Sequence, residues 1–158
     1  ASDGVMKLSK MVRFVVSDSS TAFVPLQQDL DYIKNYIELQ KLRLTHKESV
    51  IFEVEGNPAD LRISPLILIN FIENAFKYGV IDEASDPVII SIKVEQQTLF
   101  FNVENTISKE VNPETEKSEI GLKNTKKRLE YFYTNHYKLA IYNDLSKFIV
   151  ELKIFLND

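Results

Sequence analysis

The sequence predicts an α+β fold, a two-layer α/β sandwich in which a mixed, mostly antiparallel sheet carries helices on one face. The patterns along the 158 residues run helix, strand, helix, hairpin, loop, helix, hairpin. Two hairpins supply more strands than a βαβ repeat gives, which argues against a parallel doubly wound sheet. A central helix is apolar around most of its circumference, as is typical of a helix covered by protein on most sides.

Two helical patterns open the chain. The first is a short amphipathic helix whose apolar residues recur at helical spacing and include Val5, Leu8, Met11, Val12 and Val15. The turn formers of Ser17–Thr21 end it. Pro25 begins the second helix, which we expect over about Leu26–Leu44 with Leu30, Ile33 and Ile37 on its core face.

The strands are predicted from alternation. Val50–Glu55 alternates and ends at a Gly-Asn-Pro turn. Pro87–Glu95 and Thr98–Asn105 form a predicted antiparallel hairpin through a Gln-Gln turn. Lys138–Asn143 and Lys147–Phe155 form a second one.

A polar segment and a helix separate the two hairpins. Thr106–Glu119 has almost no apolar residues, so we expect a mobile loop. Gly121–Tyr133 then places Leu122, Leu129 and Phe132 on one face and is predicted to be a helix that begins at the glycine.

The central helix is predicted over Ser64–Gly79. Ser64 is expected to cap its first turn, and Pro65 suits the first helical position. Gly79 is expected to end it in the left-handed conformation. Its polar residues share one arc about 100° wide; we call them the polar stripe, and they are Asn70, Glu73, Asn74 and Lys77.

Two interpretations of the polar stripe stay open. One is a half-buried helix whose polar side faces water. The other is a ligand cleft, because asparagine is a poor choice for an ordinary solvated helix position. Amide and carboxylate oxygens suit Mg²⁺, and an ammonium group suits a phosphate. Tyr78 at the edge of the stripe adds an aromatic face.

Composition narrows the function classes. A net charge of −4 and a pI near 5.3 argue against a nucleic-acid surface. The absence of cysteine excludes disulfides and thiolate metal sites. No apolar run is long enough to span a bilayer. The sequence begins in mid-pattern at Ala1 without a Met, so we expect a fragment of a longer protein.

Three segments resemble sensor histidine kinases. NFIENAFKYG resembles their N box, and IGLKNTKKRLEYFY (120–133) resembles their last glycine box and the helix after it. KLSKMVRF resembles the end of a dimerisation helix, and the whole arrangement is most similar to the LytS-type (autolysin-sensor) subclass. The resemblance implies the Bergerat (GHKL) ATP-binding fold over residues 21–158, with residues 1–20 as the end of the dimerisation helix and a linker.

The resemblance implies a role for each stripe residue. Asn74 matches the Mg²⁺ ligand that bridges to the ATP phosphates, and Glu73 matches the acid that activates the incoming nucleophile. Lys77 would neutralise phosphate charge. Tyr78 would pack against adenine or ribose, and Asn70 would line the same wall.

The glycine boxes of the family are reduced here. Asn105 stands where the family has the aspartate that accepts a hydrogen bond from adenine, and Glu104 is the one-residue alternative. In the second box, Lys117 and Glu119 replace two glycines. The resemblance leaves an anion site at a helix start, formed by Gly121, Leu122 and Asn124. Arg128 either reaches a phosphate or is a surface arginine.

The implied activity is transfer of the ATP γ-phosphoryl group to a histidine outside this chain. His46 and His136 are the only histidines, and neither lies in the acceptor motif of the family. The implied cofactors are ATP and Mg²⁺. The implied partners are the dimerisation domain of the parent protein, which would be a homodimer, and a response regulator, with no nucleic acid. The implied location is the cytoplasmic part of a membrane-anchored bacterial sensor.

Two rival functions remain at this level. The first is a degenerate GHKL domain that binds nucleotide weakly, or not at all, and acts as an interaction module; the missing glycines favour it and the intact N box opposes it. The second is a serine kinase of the anti-sigma type on the same fold. The helical segment Val5–Phe14, which resembles a dimerisation helix, argues against that kinase.

Overall fold

The computed structural model describes residues 2–14, 22–108, 115–144 and 146–156. The helices in these ranges are α1 (Ser2–Arg13), α2 (Leu26–Leu42), α3 (Ile67–Tyr78) and α4 (Thr115–Tyr133), with a 3-10 turn at Lys47–Ser49. The strands are β1 (Val24–Pro25), β2 (Val50–Glu55), β3 (Arg62–Ile63), β4 (Val88–Glu95), β5 (Thr98–Thr106), β6 (Tyr137–Asn143) and β7 (Lys147–Phe155). The predicted turn at Ser17–Thr21 lies outside the described residues.

Five strands form the main sheet in the order β2-β4-β5-β7-β6. Only the β2–β4 pair is parallel, and the other three pairs are antiparallel. Both predicted hairpins are confirmed, as is the mixed, mostly antiparallel sheet. The strands β1 and β3, which the sequence did not predict, pair separately and join the start of α2 to the segment before α3.

The helices cover one face of the sheet because the strands alternate strictly. The buried apolar side chains of the three central strands are Val88, Ile90, Ile92, Val94, Leu99, Phe101, Val103, Val150, Leu152 and Ile154. α3 lies on this face, where the rings of Phe71 and Phe101 are 6.1 Å apart. It also contacts α2, through the rings of Tyr36 and Phe76, and α4. The predicted two-layer sandwich is therefore correct.

Both predicted ends of α3 are wrong. The helix begins at Ile67, and its N-cap position is Leu66, which has a left-handed backbone with φ 66°. Ser64 is buried, and its hydroxyl has no hydrogen-bond partner in the described part of the chain. Gly79 is extended, with φ −82° and ψ 165°.

Gly79 is required for space rather than for backbone conformation. A Cβ there would lie 2.5 Å from the Ala75 carbonyl oxygen and 2.8 Å from Nδ2 of Asn105. The residue also bridges Ile107, and Val80 N–H donates to the Thr106 carbonyl over 2.8 Å. The C-terminus of α3 is thus joined closely to the end of β5.

The predicted mobile loop is wrong at both ends. Thr106 belongs to β5, and α4 begins at Thr115 rather than at Gly121. Gly121 therefore lies inside a helix, where its N–H bonds to the carbonyl four residues earlier. A Cβ on Gly121 would meet nothing within 4 Å. The expectation of mobility for residues 109–114 falls outside the described residues.

One carboxyl group is buried beneath the start of α3. Asp29 is 1% exposed, and its Oδ1 accepts from Leu66 N–H over 3.3 Å. Its Oδ2 has no hydrogen-bond partner among the described residues. Burial raises the pKa of Asp29 to about 6, against the smaller lowering effects of the Leu66 hydrogen bond and the charge of Arg128.

The two glycines give a matched stability test. Gly79→Ala should lower the free energy of unfolding by about 1–3 kcal/mol, because its methyl group has no space. Gly121→Ala should raise it by about 0.5–1 kcal/mol, because alanine is the better helix residue and the site is open. Urea denaturation of both variants measures the difference. Equal effects of the two substitutions would contradict this account of Gly79.

Asp29 should make stability depend on pH. Its folded pKa of about 6 lies above the ordinary value of 3.8, so the folded state binds more protons than the unfolded state between these values. The free energy of unfolding should therefore fall by about 3 kcal/mol as pH rises from about 4 to about 6. Asp29→Asn should remove that slope in urea titrations at several pH values. Asp31→Asn, on the exposed side of the same helix, should keep it.

Candidate functional site

The polar stripe of α3 lies between the two flanking helices. Asn70, Glu73 and Asn74 are partly buried and Lys77 is exposed, while the rest of the helix surface is largely packed in the core. Nδ2 of Asn70 donates to the Thr125 hydroxyl of α4 over 3.2 Å. The stripe is therefore not a plain solvated face, and this placement favours the cleft interpretation.

Glu73 lies on the α2 side of the stripe. Burial raises its pKa, and Lys77, one turn further on, partly offsets that shift. Tyr36 on α2 has its pKa raised to about 12, first by burial and then by the Glu73 charge. The same two causes raise the pKa of Tyr32. A half-buried carboxylate with an elevated pKa beside an ammonium group is a suitable proton acceptor.

α3 and α4 run antiparallel, with a register set by two hydrogen bonds. Arg128 donates to the Pro65 carbonyl near the start of α3, and Asn70, about one turn further along α3, donates to Thr125. Continuing this register places Gly121 level with Asn74. The Thr125 hydroxyl also donates to the Gly121 carbonyl over 3.0 Å. Thr125 thus connects this turn of α4 to Asn70 of the stripe.

Asn105 lies at the end of β5, below the C-terminus of α3. It is 3% exposed, and its Nδ2 donates to the Thr106 carbonyl over 3.3 Å. Its Oδ1 has no hydrogen-bond partner within the described ranges. A buried acceptor without a donor is costly, so a ligand donor there would be favourable.

Glu104 points to the opposite face of the sheet. Its carboxylate accepts from Nζ of Lys147 over 2.7 Å, and it pairs in register with Ile149. Strand alternation therefore puts Asn105, and not Glu104, on the helix side.

The remaining predicted residues lie along α4. Leu122 packs against the core, and Asn124 is exposed. Gly121 does not begin the helix, so the predicted anion site at a helix start is wrong. Arg128 donates from Nη2 to the Pro65 carbonyl over 2.7 Å, which places its guanidinium at the start of α3 rather than beside Asn74.

Several residues at the site were missed by sequence reasoning. Thr125, Asp29 and Tyr133 are buried groups from distant parts of the chain, and they bind α3 or the segment directly before it. Asp82 accepts from the N–H groups of Thr45 and His46 and so fixes the segment after α3. The one available signal was the position of Asp29, directly before Leu30 on a helix with an apolar core face.

Two features are absent from the described residues. Among the side chains described, no three of the types His, Cys, Asp and Glu come together as a metal cluster. None of the described helices is long and apolar enough to cross a lipid bilayer.

Sequence comparisons connect the chain to sensor kinases. A family model described as histidine kinase matches residues 1–48. Sensor protein LytS of Enterococcus faecalis is 25% identical over 100 residues, which are 63% of this chain and 17% of LytS. Sensor protein kinase HptS of Staphylococcus aureus is 30% identical over 95 residues, which are 60% of this chain and 18% of HptS. The matched part is thus under a fifth of either relative.

Solved structures share the fold. Histidine kinase AdeS of Acinetobacter baumannii superposes with a TM-score of 0.57 at 16% identity, covering 98% of this chain and 77% of AdeS. The catalytic domain of histidine kinase ThkA gives 0.57 at 18%, covering 87% and 100%. ThkA in complex with response regulator protein TrrA gives 0.51 at 19%, covering 97% and 48%. The chain is therefore similar in sequence to parts of sensor histidine kinases, and it shares the fold of solved histidine kinase structures.

Proposed function

We propose that this domain binds Mg·ATP beside the polar stripe and serves as the catalytic domain of a LytS-type sensor histidine kinase. One arrangement carries the proposal. A stripe of amide, carboxylate and ammonium groups lies between α2 and α4, and a buried acceptor without a donor, Oδ1 of Asn105, lies near the end of the same helix. The stripe offers the polar and charged groups that suit a triphosphate and Mg²⁺. Oδ1 of Asn105 offers the acceptor that suits the amino group of adenine.

Asn105 forms the adenine end of the proposed site. Its Oδ1 would accept from the exocyclic amino group of the base, as an aspartate would but without the charge. Gly79 leaves room beside it, since any larger residue would collide with the Asn105 side chain. Tyr78, at the end of α3, would pack against the base or ribose.

Asn74 forms the metal end. Its amide oxygen would hold Mg²⁺ together with phosphate oxygens and waters. The bound ion would neutralise charge on the phosphates. Lys77 would add a point charge, Asn70 would line the wall, and Gly121, Leu122 and Asn124 would border the site from α4.

Glu73 is the proposed base. Its half-buried position and raised pKa suit a carboxylate that accepts a proton from the incoming histidine. That histidine lies outside this chain in the proposal, because neither His46 nor His136 lies in the acceptor motif of the family.

The same proposal implies a domain organisation and partners for the parent protein. Residues 1–20 would be the end of its dimerisation helix and a linker, and residues 21–158 its ATP-binding domain on the cytoplasmic side of a membrane-anchored sensor. A homodimer would bring the acceptor histidine to the site. A response regulator would take the phosphoryl group; the complex of ThkA with TrrA shows that pairing in a protein of the same fold.

One observation favours the second candidate, an interaction module with weak nucleotide binding. α4 continues through Gly121 as an unbroken helix, so the backbone N–H groups there are not free to bind phosphate. Titration with nucleotide decides between the two candidates.

Asn74→Ala should remove most of the magnesium dependence of ATP binding, because it deletes the proposed metal ligand. Calorimetry with ATP, with and without Mg²⁺, measures the effect on this chain and on the variant. If the unchanged chain gives no heat and no thermal shift at millimolar Mg·ATP, the interaction module is the better account.

Glu73→Gln is the matched variant on the neighbouring residue. It should keep ATP affinity nearly intact, because the amide has the same size, and should slow transfer to a histidine-bearing helix supplied in trans by roughly 10²–10⁴-fold. A parallel loss of binding and transfer would make Glu73 a structural or metal-tuning residue instead.

Asn105→Leu should weaken ATP and ADP equally, because both carry the adenine that Oδ1 would accept from. Glu104→Gln is the control, since Glu104 faces away from the helices and pairs with Lys147. Competition binding of both nucleotides to both variants measures the effect. An unchanged affinity in Asn105→Leu, or an equal loss in the control, would refute adenine recognition by Asn105.

A further inference from the structure

Three side chains from two helices meet the segment that leads into α3. We call this segment, Ser64, Pro65 and Leu66, the lead-in. Ser64 N–H donates to the Tyr133 hydroxyl over 2.8 Å, and the Pro65 carbonyl accepts from Arg128 over 2.7 Å. Leu66 N–H donates to Asp29 over 3.3 Å. Each residue of the lead-in is therefore held by a side chain at least 37 positions away in sequence.

The lead-in has a backbone that these contacts must maintain. Leu66 has φ 66°, a conformation that costs a branched apolar residue free energy and persists only where its surroundings impose it. No side chain of α3 itself caps the helix. The acceptor comes from Asp29, whose carboxylate also suits the positive end of the α3 dipole.

We propose that Asp29, together with Arg128 and Tyr133, is a positioning residue that sets the placement of the polar stripe. This inference rests on the proposed function and adds a determinant of the same site. Asp29 does not touch the nucleotide site itself: it acts through Leu66, the residue from which α3 begins.

The geometry of α3 explains how the effect reaches the site. Asn70 and Asn74 lie about one and two turns beyond Leu66 on the same continuous helix. A packed helix moves as a unit, so a shift of the lead-in displaces both amides relative to Asn105, which belongs to the sheet. A displacement of about 1 Å at a bound reactant costs up to 10²-fold.

Arg128 fits this role better than phosphate binding. Its guanidinium already donates to Pro65. Burial raises the pKa of both Asp29 and Tyr133, and the charge of Arg128 offsets part of each rise. It therefore stabilises the ionised form of Asp29, in which both oxygens can accept. Tyr133 completes the group, with its ring buried in the core.

The test compares two substitutions at one position. Asp29→Ala removes the acceptor for Leu66 N–H, whereas Asp29→Asn retains an amide oxygen that can accept the same bond. Ile37→Val, a buried change about two turns beyond Asp29 on α2, controls for general loss of stability. Mg·ATP affinity and amide hydrogen exchange are measured for all three variants and for the unchanged chain.

The expected result is local. Asp29→Ala should weaken Mg·ATP binding by roughly 10- to 100-fold and speed exchange in residues 66–74 more than in β5. Asp29→Asn should stay within about threefold of the unchanged chain, and Ile37→Val should change exchange in the two regions alike. If Asp29→Ala does not fold, Tyr133→Phe takes its place with the same two measurements.

Two results would overturn the inference. One is an Asp29→Ala variant whose exchange in residues 66–74 rises no more than in Ile37→Val. The other is an Asp29→Asn variant that behaves like Asp29→Ala. If the unchanged chain binds no Mg·ATP, the proposed function fails, and the exchange measurement alone then decides whether Asp29 sets the position of α3.

Discussion

The packing of α3 against the sheet is the constraint on which the rest of the structure depends. The helix is covered by the sheet below and by a helix on each side, so only one narrow arc remains for polar residues. The burial of its apolar residues therefore collects the amide, carboxylate and ammonium groups into one stripe. The same packing that stabilises the domain thus concentrates its chemistry.

The alternation of side chains along β5 determines which residue lies in the other half of the candidate site. A period of two means that neighbouring strand residues face opposite sides. Asn105 is consequently buried under the helices while Glu104 pairs with Lys147 on the open face. The sequence alone leaves both residues as candidates. The register of β5 leaves only Asn105 on the side of α3.

Much of the fold could be predicted because its signals are local. Alternation gave both hairpins nearly to the residue, and helical periodicity gave α2 and the body of α3. The start of α3 could not be predicted, since local capping rules consider only nearby residues, whereas Asp29 and Tyr133 bind the backbone before the helix from other elements. The first residues of α4 were missed because a polar segment gives no periodic signal. Two-residue strands such as β1 and β3 are too short to show any alternation.

The small ladder between β1 and β3 has a consequence for how the chain folds. It closes a loop over residues 26–61, which contains α2 and the edge strand β2, and it is extended by hydrogen bonds from Leu26 to Leu61 and from Arg62 to Phe23. Closing such a loop costs chain entropy that a local hairpin does not. The hairpins β4–β5 and β6–β7 thus have the kinetic advantage, and the segment that carries Asp29 docks onto a sheet already begun. We therefore expect the side of the molecule that carries the polar stripe to assemble last in folding and to open first in unfolding.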